Sequence, residues 1–384
     1  MMKPIPYSRQ EISDADIAAV IDILRSPFLT QGPAVERFEA EFAALHRGKH
    51  AVAVCNATAA LHLACLALDV GPGDMVWTSP ISFVASANCA LYCGADVGFV
   101  DIDPVTRNMS VEALAERLAA AEREGGLPKV VIPVDFSGLP CDLEAIRSLA
   151  NRYGFKIVSD SSHAVGATYC GEPIGRYADI SVFSFHPVKI VTTGEGGLCL
   201  TDDAALADRI RLLRSHGITR HAAQMQGGSR GDWYYEQIDL GFNYRITDIQ
   251  AALGSSQLTG LEEKFHRRDD AARRYDDKLA RLPLKLPVRL NDRQSAHHLY
   301  VVEVADGTSR SDVFSALRAN RILVNVHYIP IHLQPYYRTL GFAAGDFPVS
   351  EAYYAGAITI PLFPSLTPSE QDYVVEQLAR AVGA

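Results

Sequence analysis

Residues 160–197 decide the fold, and they contain the segments Asp160-Ser-Ser-His163, Ser184-Phe-His-Pro-Val-Lys189 and Thr193-Gly-Glu-Gly-Gly197. Asp160 ends the apolar run 155–159, and Lys189 lies just beyond the run 180–185. Both runs are short, rich in β-branched and aromatic residues, and bounded by polar or glycine stretches, which is typical of strands. Because ligand-binding groups gather at the carboxyl ends of parallel strands, we expect Asp160 and Lys189 to meet over one crevice.

A lysine and a carboxylate over one crevice suit pyridoxal phosphate. This cofactor needs an amine that forms a Schiff base and an acid beside its ring nitrogen. The acid keeps the ring nitrogen protonated, so that the ring takes up electrons when a substrate carbon loses its proton. The same lysine, once displaced, moves that proton. One Asp and one Lys are not sufficient evidence by themselves, so the assignment depends on matches elsewhere in the chain.

Composition excludes several classes of protein. The 384 residues suggest one large domain plus a smaller one, or two of similar size. A net charge of -9 and the lack of a long basic run argue against a nucleic-acid partner. The seven cysteines are scattered without CxxC or Cys/His ligand spacing, which argues against a zinc site and fits a reducing cytoplasm.

Two uncharged stretches, 51–68 and 76–95, have nearly the length of a membrane span. Each contains polar residues, such as Asn56 and His62 in the first, so we interpret each as a strand, a loop and a buried helix. Residues 1–6 lack the apolar core of a signal peptide. We therefore expect a cytoplasmic protein without a membrane partner.

Strand-like runs alternate with helical stretches along the chain. Further predicted strands lie at 51–55, 75–78, 97–101, 129–135 and 197–201, and predicted helices lie at 110–123 and 142–153. This alternation predicts an α/β fold with a mostly parallel sheet. No GxGxxG motif follows a strand, which disfavours a dinucleotide site.

The last third of the chain predicts a smaller α/β unit. A long helix begins near Thr247 or Asp248 and runs through a charged section. Beyond it lie a predicted strand at 298–303, a helix at 310–320 and a strand at 323–327. We therefore divide the chain into a large domain, 1–260, and a small C-terminal domain, 261–384.

The opening motifs resemble the DegT/DnrJ/StrS family of sugar aminotransferases, which belongs to the fold-type I pyridoxal-phosphate enzymes, and the matches continue along nearly the whole chain. The segment 184–197 and Asn56-Ala-Thr58 are similar to the branch of that family that serves pseudaminic acid synthesis. Ser82 departs from the Thr common in the wider family. The resemblance implies a large domain with a mostly parallel mixed sheet flanked by helices, and it alone supplies the detailed fold.

The resemblance also implies a cofactor site. The residues that it assigns are Lys189 as the Schiff-base lysine, Asp160 at the ring nitrogen, His163 near the ring or its 3-hydroxyl, Phe83 stacked on the ring, Ala57, Thr58 and Ser184 at the phosphate, and Asn243 at the phosphate of the neighbouring subunit. Lys189, Asp160 and His163 are the catalytic set. Thr58 is also the expected cap of a helix whose free N–H groups would bind phosphate, and capping alone would explain it equally. The position of Asn243 implies a homodimer with shared sites.

Substrate contacts follow from the same resemblance. The implied residues are Tyr7, Phe28, Leu29, Thr30, Arg245, His327 and Tyr328, with 227–235 as a candidate lid. Several positions have ordinary alternatives: packing for Tyr7 and Phe83, a structural role for His163, and a salt bridge for Arg245. His327 and His332 are separated by Pro330 and do not have the spacing of metal ligands on one helix, so no metal is expected.

The resemblance implies a transaminase that moves an amino group from glutamate to C4 of a UDP-4-keto-6-deoxy-N-acetylhexosamine, in the biosynthesis of pseudaminic acid, a nonulosonic acid. One alternative is another nucleotide-sugar 3- or 4-aminotransferase. The other is a non-catalytic regulatory protein that binds the cofactor; such proteins usually carry a DNA-binding domain, for which the first residues leave no room. Dehydratase relatives replace the lysine with histidine, so Lys189 argues against that activity.

Overall fold

The structure, a computed structural model, describes residues 3–228 and 230–383. The helices, in chain order, are α1 (Asp14–Arg25), α2 (Pro33–Leu45), α3 (Ala57–Ala67), α4 (Ala85–Tyr92), α5 (Val111–Glu124), α6 (Leu143–Tyr153), α7 (Ala204–Leu213), α8 (Asp248–Thr259), α9 (Leu261–Leu279), α10 (Arg310–Ala319), α11 (Pro335–Arg338), α12 (Pro348–Gly356) and α13 (Pro368–Ala381). The strands, in chain order, are β1 (Ile5–Pro6), β2 (His50–Val54), β3 (Met75–Thr78), β4 (Asp96–Phe99), β5 (Val130–Ile132), β6 (Lys156–Asp160), β7 (Thr168–Tyr169), β8 (Glu172–Pro173), β9 (Ile180–Ser184), β10 (Gly197–Thr201), β11 (Ile218–Thr219), β12 (Glu236–Gln237), β13 (Leu284–Lys285), β14 (Arg293–Gln294), β15 (Tyr300–Val304), β16 (Ile322–Leu323) and β17 (Ala357–Ile360).

The central sheet has the strand order β2-β10-β9-β6-β5-β3-β4. The strands from β9 to β4 pair in parallel, whereas β10 is antiparallel to both β9 and β2. The predicted α/β fold with a mostly parallel mixed sheet is therefore confirmed. Because five neighbouring strands share one direction, their carboxyl ends form a single edge at which side chains from distant sequence positions meet.

Apolar side chains cover both faces of this sheet. In β2, Ala51 and Ala53 point to the core that contains Phe38 and Phe42 of α2, whereas Val52 points to the core under α3 and α4. A strand that is buried on both faces needs apolar residues at every position rather than at alternate ones. This requirement explains the continuous apolar runs in the sequence.

The two long uncharged stretches fold as interpreted. Residues 51–68 contain most of β2 and all of α3, and residues 76–95 contain most of β3 and all of α4. Within residues 3–228 and 230–383, no helix combines the length and the apolar character needed to cross a membrane.

Side-chain caps fix the beginnings of several helices. Ser13 caps α1, since its hydroxyl accepts the Asp16 N–H in a reciprocal capping box. The predicted cap at Thr58 is wrong. Asn56 begins α3 instead, because its carboxamide oxygen accepts the Ala59 N–H at 2.8 Å, and Thr58 lies inside the first turn.

The C-terminal part contains the antiparallel sheet β13-β15-β17, with α10 and α13 packed around a core of its own. The expected long helix is in fact two helices, because the chain breaks at Gly260 between α8 and α9. The predicted strand 323–327 is wrong after Leu323. Asn325 bonds instead to Thr359 at a single bridge, and the chain then turns toward the interior. The division of the chain at residue 260 remains a prediction.

The N-terminal segment joins the C-terminal part across the whole length of the chain. β1 pairs in parallel with β16, and the Leu362 N–H donates to the Tyr7 carbonyl at 2.9 Å. This pairing carries Tyr7 to the same edge of the central sheet at which β6 and β9 end.

Candidate active site

A cavity of about 580 Å³ opens at the carboxyl ends of the central strands. Asp160 is the last residue of β6, Ser184 is the last residue of β9, and Lys189 follows in the turn after β9. All three side chains line the cavity. The parallel arrangement of β6 and β9 brings the acid and the lysine together although 28 positions separate them in the sequence.

Asp160 is held through both of its carboxylate oxygens. The Ser86 hydroxyl donates to Oδ2 at 2.6 Å, and the Ser162 N–H donates to Oδ1 at 3.2 Å. Ser82 Oγ lies 2.6 Å from Ser86 Oγ, and because the Ser86 hydrogen points to Asp160, Ser82 is the donor in that contact. The carboxylate is 5% exposed. Its orientation toward the cavity is therefore fixed by two donors on different elements.

Lys189 occupies a tight turn in which its N–H donates to the His186 carbonyl at 2.9 Å. Burial lowers the pKa of the Lys189 ammonium to about 8, and the Asp160 carboxylate acts in the opposite direction. A lysine with this pKa is partly neutral near physiological pH, which is the form that reacts with an aldehyde and accepts a proton. This chemistry distinguishes Lys189 from an ordinary surface lysine.

Buried imidazoles line the side of the cavity that faces Lys189. Burial lowers the pKa of His327 to about 3, and that of His163 falls well below its usual range, in both cases with a further contribution from the Lys189 charge. Burial likewise lowers the pKa of His298 well below its usual range. All three rings are therefore neutral at physiological pH. They supply hydrogen bonds to the cavity without adding positive charge.

Aromatic rings form the rest of this wall. The rings of Tyr7 and His327 are 5.2 Å apart, and His327 Nδ1 lies 2.8 Å from Thr359 Oγ1. Phe83 and Tyr328 are 6.4 Å apart. Phe83 is 58% exposed although it lies inside the cavity, so one face of its ring is open to a ligand. A flat aromatic surface of this kind suits a flat aromatic ligand.

The beginning of α3 forms an anion site at the opposite side. Asn56 caps the Ala59 N–H, and the N–H groups of Ala57 and Thr58, which also line the cavity, have no partner among the described residues. Free N–H groups at a helix N-terminus bind phosphate well. Gly197 lies against this turn, because a Cβ there would come within 2.5 Å of the Ala57 nitrogen. A side chain at that position would displace the start of the helix.

The structure brings most of the predicted site residues together. Those that line the cavity are Lys189, Asp160, His163, Ala57, Thr58, Phe83, Ser184, Tyr7, His327 and Tyr328. They lie at or after the ends of three strands (β6, β9 and β16), near the starts of two helices (α3 and α4) and in the N-terminal segment. The geometry is compatible with the role that the resemblance implies for each of them.

The remaining predicted residues lie outside this cavity. Thr30 is bridged to Thr247, Asn243 to Ser215 and Arg245 to Val54. The neighbouring Phe28 and Leu29 are about half exposed. No described carboxylate lies within ion-pair distance of Arg245, so the salt bridge considered for it is not formed within the chain. The candidate lid contains the exposed Trp233, and its residue Ser229 lies outside the described residues.

Sequence reasoning missed several residues at the site. Ser86 was not singled out, because its role arises from contacts with Ser82, which precedes α4, and with the distant Asp160. His298 lines the cavity, and its buried Nδ1 atom has no hydrogen-bond partner among the described residues. Nothing in its sequence context distinguishes it from the ordinary residues of the predicted strand 298–303. Asn325 also lines the cavity. Its position depends on long-range packing.

The donor set fits pyridoxal phosphate. The cavity contains a partly neutral lysine, a carboxylate with fixed orientation, an exposed aromatic face and a helix start with free N–H groups, which match the aldehyde, ring nitrogen, ring and phosphate of that group. Among the described residues, no group of three or more His, Cys, Asp or Glu is arranged to hold a metal ion.

Comparisons with known proteins agree with this fit. The profile of the DegT/DnrJ/EryC1/StrS aminotransferase family matches residues 10–379. The chain is 40% identical over 378 residues to a spore coat polysaccharide biosynthesis protein of Bacillus subtilis, and the match covers 97% of this chain and 95% of the relative.

Solved structures share the whole fold. One is Helicobacter pylori PseC, an aminotransferase involved in the biosynthesis of pseudoaminic acid, with a TM-score of 0.91 and 30% identity over 99% of this chain and 100% of that chain. Another is a Streptococcus pneumoniae protein solved in its PLP form, with a TM-score of 0.89 and 32% identity over 99% of each chain.

Proposed function

The chain belongs to the DegT/DnrJ/EryC1/StrS aminotransferase family, and from that premise we propose that it moves an amino group from glutamate to C4 of a UDP-4-keto-6-deoxy-N-acetylhexosamine, in pseudaminic acid biosynthesis. Its cofactor is pyridoxal 5′-phosphate. The likeness to PseC and to the spore coat polysaccharide protein supports the sugar substrate. The single observation that carries the proposal is the presence of Lys189 and Asp160 in one cavity with the start of α3.

When bound, pyridoxal phosphate supplies an electron sink for deprotonation at the carbon that carries the amino group. Asp160 would hold the proton of the ring nitrogen, because its carboxylate is fixed in place by Ser86 and Ser162. The N–H groups of Ala57 and Thr58 would hold the phosphate, with the Ser184 hydroxyl beside them.

Lys189 is the proposed acid and base. Its pKa of about 8 allows the neutral amine to accept a proton and the ammonium to return it at nearly the same pH. The neutral imidazoles of His163 and His327 support this role, since a positive charge beside Lys189 would lower its proton affinity further.

The diphosphate of a nucleotide-sugar needs cations that the cavity lacks. Among the described lining residues the charged side chains at neutral pH are Lys189, Asp160 and Glu195, and Lys189 is committed to the cofactor. Arg245 lies outside the cavity of its own chain and has no ion-pair partner there. We assign it, together with Asn243 and 28–30, to the cavity of a second copy.

An exposed apolar stripe on α1 supports a homodimer. Ile17, Ile21 and Leu24 recur at helical spacing on one face, and Phe28 and Leu29 continue the same surface. Exposed apolar side chains in a continuous row are typical of interfaces. We propose that a second copy covers this row and that Phe28–Thr30, which follow α1 in sequence, contact the substrate in the partner's cavity.

We also propose that the protein works in the cytoplasm. The free cysteines, of which Cys65 and Cys89 are buried, suit a reducing cytoplasm.

Another nucleotide-sugar 3- or 4-aminotransferase activity would use the same cofactor residues and differ in the sugar contacts. A regulatory role without catalysis is less consistent with a lysine whose pKa is tuned for proton transfer.

The test is an assay of the purified protein with glutamate and a panel of UDP- and dTDP-linked 3-keto and 4-keto sugars, with mass spectrometry of the products. We expect conversion of a ketone to an amine on the UDP-4-keto-6-deoxy-N-acetylhexosamine, and none with Lys189→Ala protein. Conversion of a different sugar would select the alternative aminotransferase activity. Lack of conversion of every sugar by protein that binds the cofactor would contradict the proposed function.

A further inference from the structure

A chain of hydrogen bonds connects the backbone of Ser137 to the hydroxyl of Tyr328 through the ring of His163. The Ser137 N–H donates to His163 Nδ1 at 3.3 Å. The other ring nitrogen, Nε2, lies 3.2 Å from the Tyr328 hydroxyl oxygen. Both His163 and Tyr328 line the cavity, and the His163 ring is 6% exposed.

Ser137 is held in the conformation that aims its N–H at His163. Its φ of 62° lies in the left-handed region, which is uncommon for a residue with a side chain. The Ser137 hydroxyl donates to the Leu299 carbonyl at 2.7 Å, and the Ser137 carbonyl accepts the His298 N–H at 2.9 Å. Strain of this kind persists only when surrounding contacts fix it, and it often marks a functional position.

The direction of the hydrogen bonds follows from these contacts. A backbone N–H only donates, so His163 Nδ1 must be an acceptor and carries no hydrogen. The neutral ring therefore carries its hydrogen on Nε2, which donates to the Tyr328 oxygen. The hydroxyl hydrogen of Tyr328 cannot point at His163 at the same time. It is left free to point into the cavity.

We propose that Tyr328 donates this hydrogen bond to the ketone oxygen of the sugar substrate, and that Ser137 and His163 are positioning residues that fix the direction of the donor. This inference rests on the proposed function. A ketone oxygen accepts hydrogen bonds and cannot donate them, whereas a hydroxyl group does both. A phenol held as a donor therefore matches the ketone oxygen, which can only accept.

The chemistry of the phenol suits donation rather than proton loss. Burial raises the pKa of Tyr328 above its usual range, with smaller contributions from Tyr7 and Asp160. The hydroxyl therefore keeps its hydrogen throughout the pH range in which Lys189 titrates. A site that is built to donate to a substrate oxygen loses much of its affinity for an analogue without a matching acceptor.

The first test measures the His163 tautomer directly. Nitrogen NMR of the holoenzyme labelled with ¹⁵N-histidine, with His163→Gln protein to assign the resonances, should show a hydrogen on Nε2 and a bare Nδ1. A hydrogen on Nδ1 would overturn the inference. This measurement does not depend on turnover, so it stands even if no keto sugar is converted.

The second test measures how much the Tyr328 hydroxyl contributes to kcat/KM. Tyr328→Phe should lower kcat/KM for the keto sugar about tenfold to a hundredfold, as expected when a buried acceptor loses its donor. The matched control is Tyr336→Phe, which removes the hydroxyl of an exposed tyrosine outside the cavity and should not change kcat/KM. A value for Tyr328→Phe within twofold of the wild type would exclude donation to the substrate.

The third test separates positioning from packing. His163→Gln keeps an oxygen for the Ser137 N–H and an N–H for Tyr328, whereas His163→Leu keeps neither. We expect Gln to retain more kcat/KM than Leu, and we expect this difference to vanish in the Tyr328→Phe background, because His163 acts through Tyr328. A difference that persists without the Tyr328 hydroxyl would contradict the positioning role. If wild-type protein converts no keto sugar, the proposed function fails, and the tautomer result alone decides the arrangement of the hydrogen bonds.

Discussion

The Ser86 hydroxyl donates to Asp160 Oδ2 at 2.6 Å, and this contact links α4 to the end of β6 at the floor of the cavity. Ser82 completes the link by donating to Ser86 at the same distance. The carboxylate proposed to hold the ring nitrogen is therefore oriented by Ser86, in the first turn of α4, and through it by Ser82, which precedes the helix.

Removing this donor should impair turnover without unfolding the protein. Ser86→Ala should lower kcat about tenfold, since hydrogen bonds to charged groups contribute ~1.5–3 kcal/mol and their loss frees the carboxylate to rotate. Ser82→Ala should have a smaller effect because it acts one step further away. Steady-state kinetics and thermal unfolding of both variants check this expectation. A larger loss of kcat for Ser82→Ala than for Ser86→Ala would contradict the proposed order of the hydrogen bonds, from Ser82 to Ser86 to Asp160.

Asp160→Asn should keep the fold and lose most of the activity. A neutral amide does not hold the ring nitrogen protonated, and a nearby opposite charge shifts a pKa by ~1–3 units. Turnover should therefore fall about tenfold to a thousandfold. The measurement is kcat, with circular dichroism as the control for folding. Turnover within a factor of about two of the wild type would count against the assignment.

Borohydride treatment of the holoenzyme should fix the cofactor to Lys189. The chain contains other lysines, but Lys189 is the one that lines the cavity together with Asp160. Mass spectrometry of a tryptic digest should show the adduct on the peptide with Lys189. Lys156→Arg, a change at an exposed lysine, is the matched control and should leave the adduct in place. An adduct on any other lysine would refute the assignment.

Capture of the cofactor by apoprotein should depend on pH with a midpoint near 8. Burial lowers the pKa of Lys189 to about 8, and only the neutral amine attacks an aldehyde. The capture rate should therefore rise as the pH increases from 6 to 8 and level off above that range. Asp160→Asn should move the midpoint to lower pH, because the Asp160 carboxylate raises the pKa of Lys189. A midpoint above 10 in the wild type, measured by absorbance after rapid mixing, would show that Lys189 is not desolvated.

Asn243 should act in the site of a second copy. It does not line the cavity of its own chain, and its backbone is bridged to Ser215. Mixing inactive Lys189→Ala chains with Asn243→Ala chains should raise activity above that of Asn243→Ala alone, because one site of each mixed dimer then carries neither change. Native mass spectrometry confirms that mixed dimers form. If mixing restores no activity, Asn243 belongs to its own subunit or lies outside the site.

The sequence was sufficient for the parts of the fold that depend on local pattern. Strands such as β3 and β10 were predicted with their observed bounds, because continuous apolar runs between polar turns have few alternatives. The meeting of Asp160 and Lys189 followed from one topological rule for parallel strands. These features require no knowledge of how distant side chains pack.

Other features depended on contacts between distant segments. The turn of the chain after Leu323 accompanies the contact of Asn325 with Thr359, which outweighs the local strand propensity of these residues. Asn56 and Thr58 are both good caps, and only the backbone at the end of β2 selects Asn56. Ser137 gave no signal at all, since its role arises from an unusual φ value and from contacts with residues 298–299.

The parallel pairing of β1 with β16 has a consequence for biosynthesis. Tyr7 leaves the ribosome long before Leu362, whose N–H bonds to the Tyr7 carbonyl, is made. Contacts between such distant positions form slowly, because a long loop must close first. The nascent chain therefore assembles the central sheet before Tyr7 and residues 325–328 take their places in the lining of the cavity. Cofactor capture should accordingly be a late event, which ribosome-stalled chains that end before residue 322 would reveal by failing to retain the cofactor.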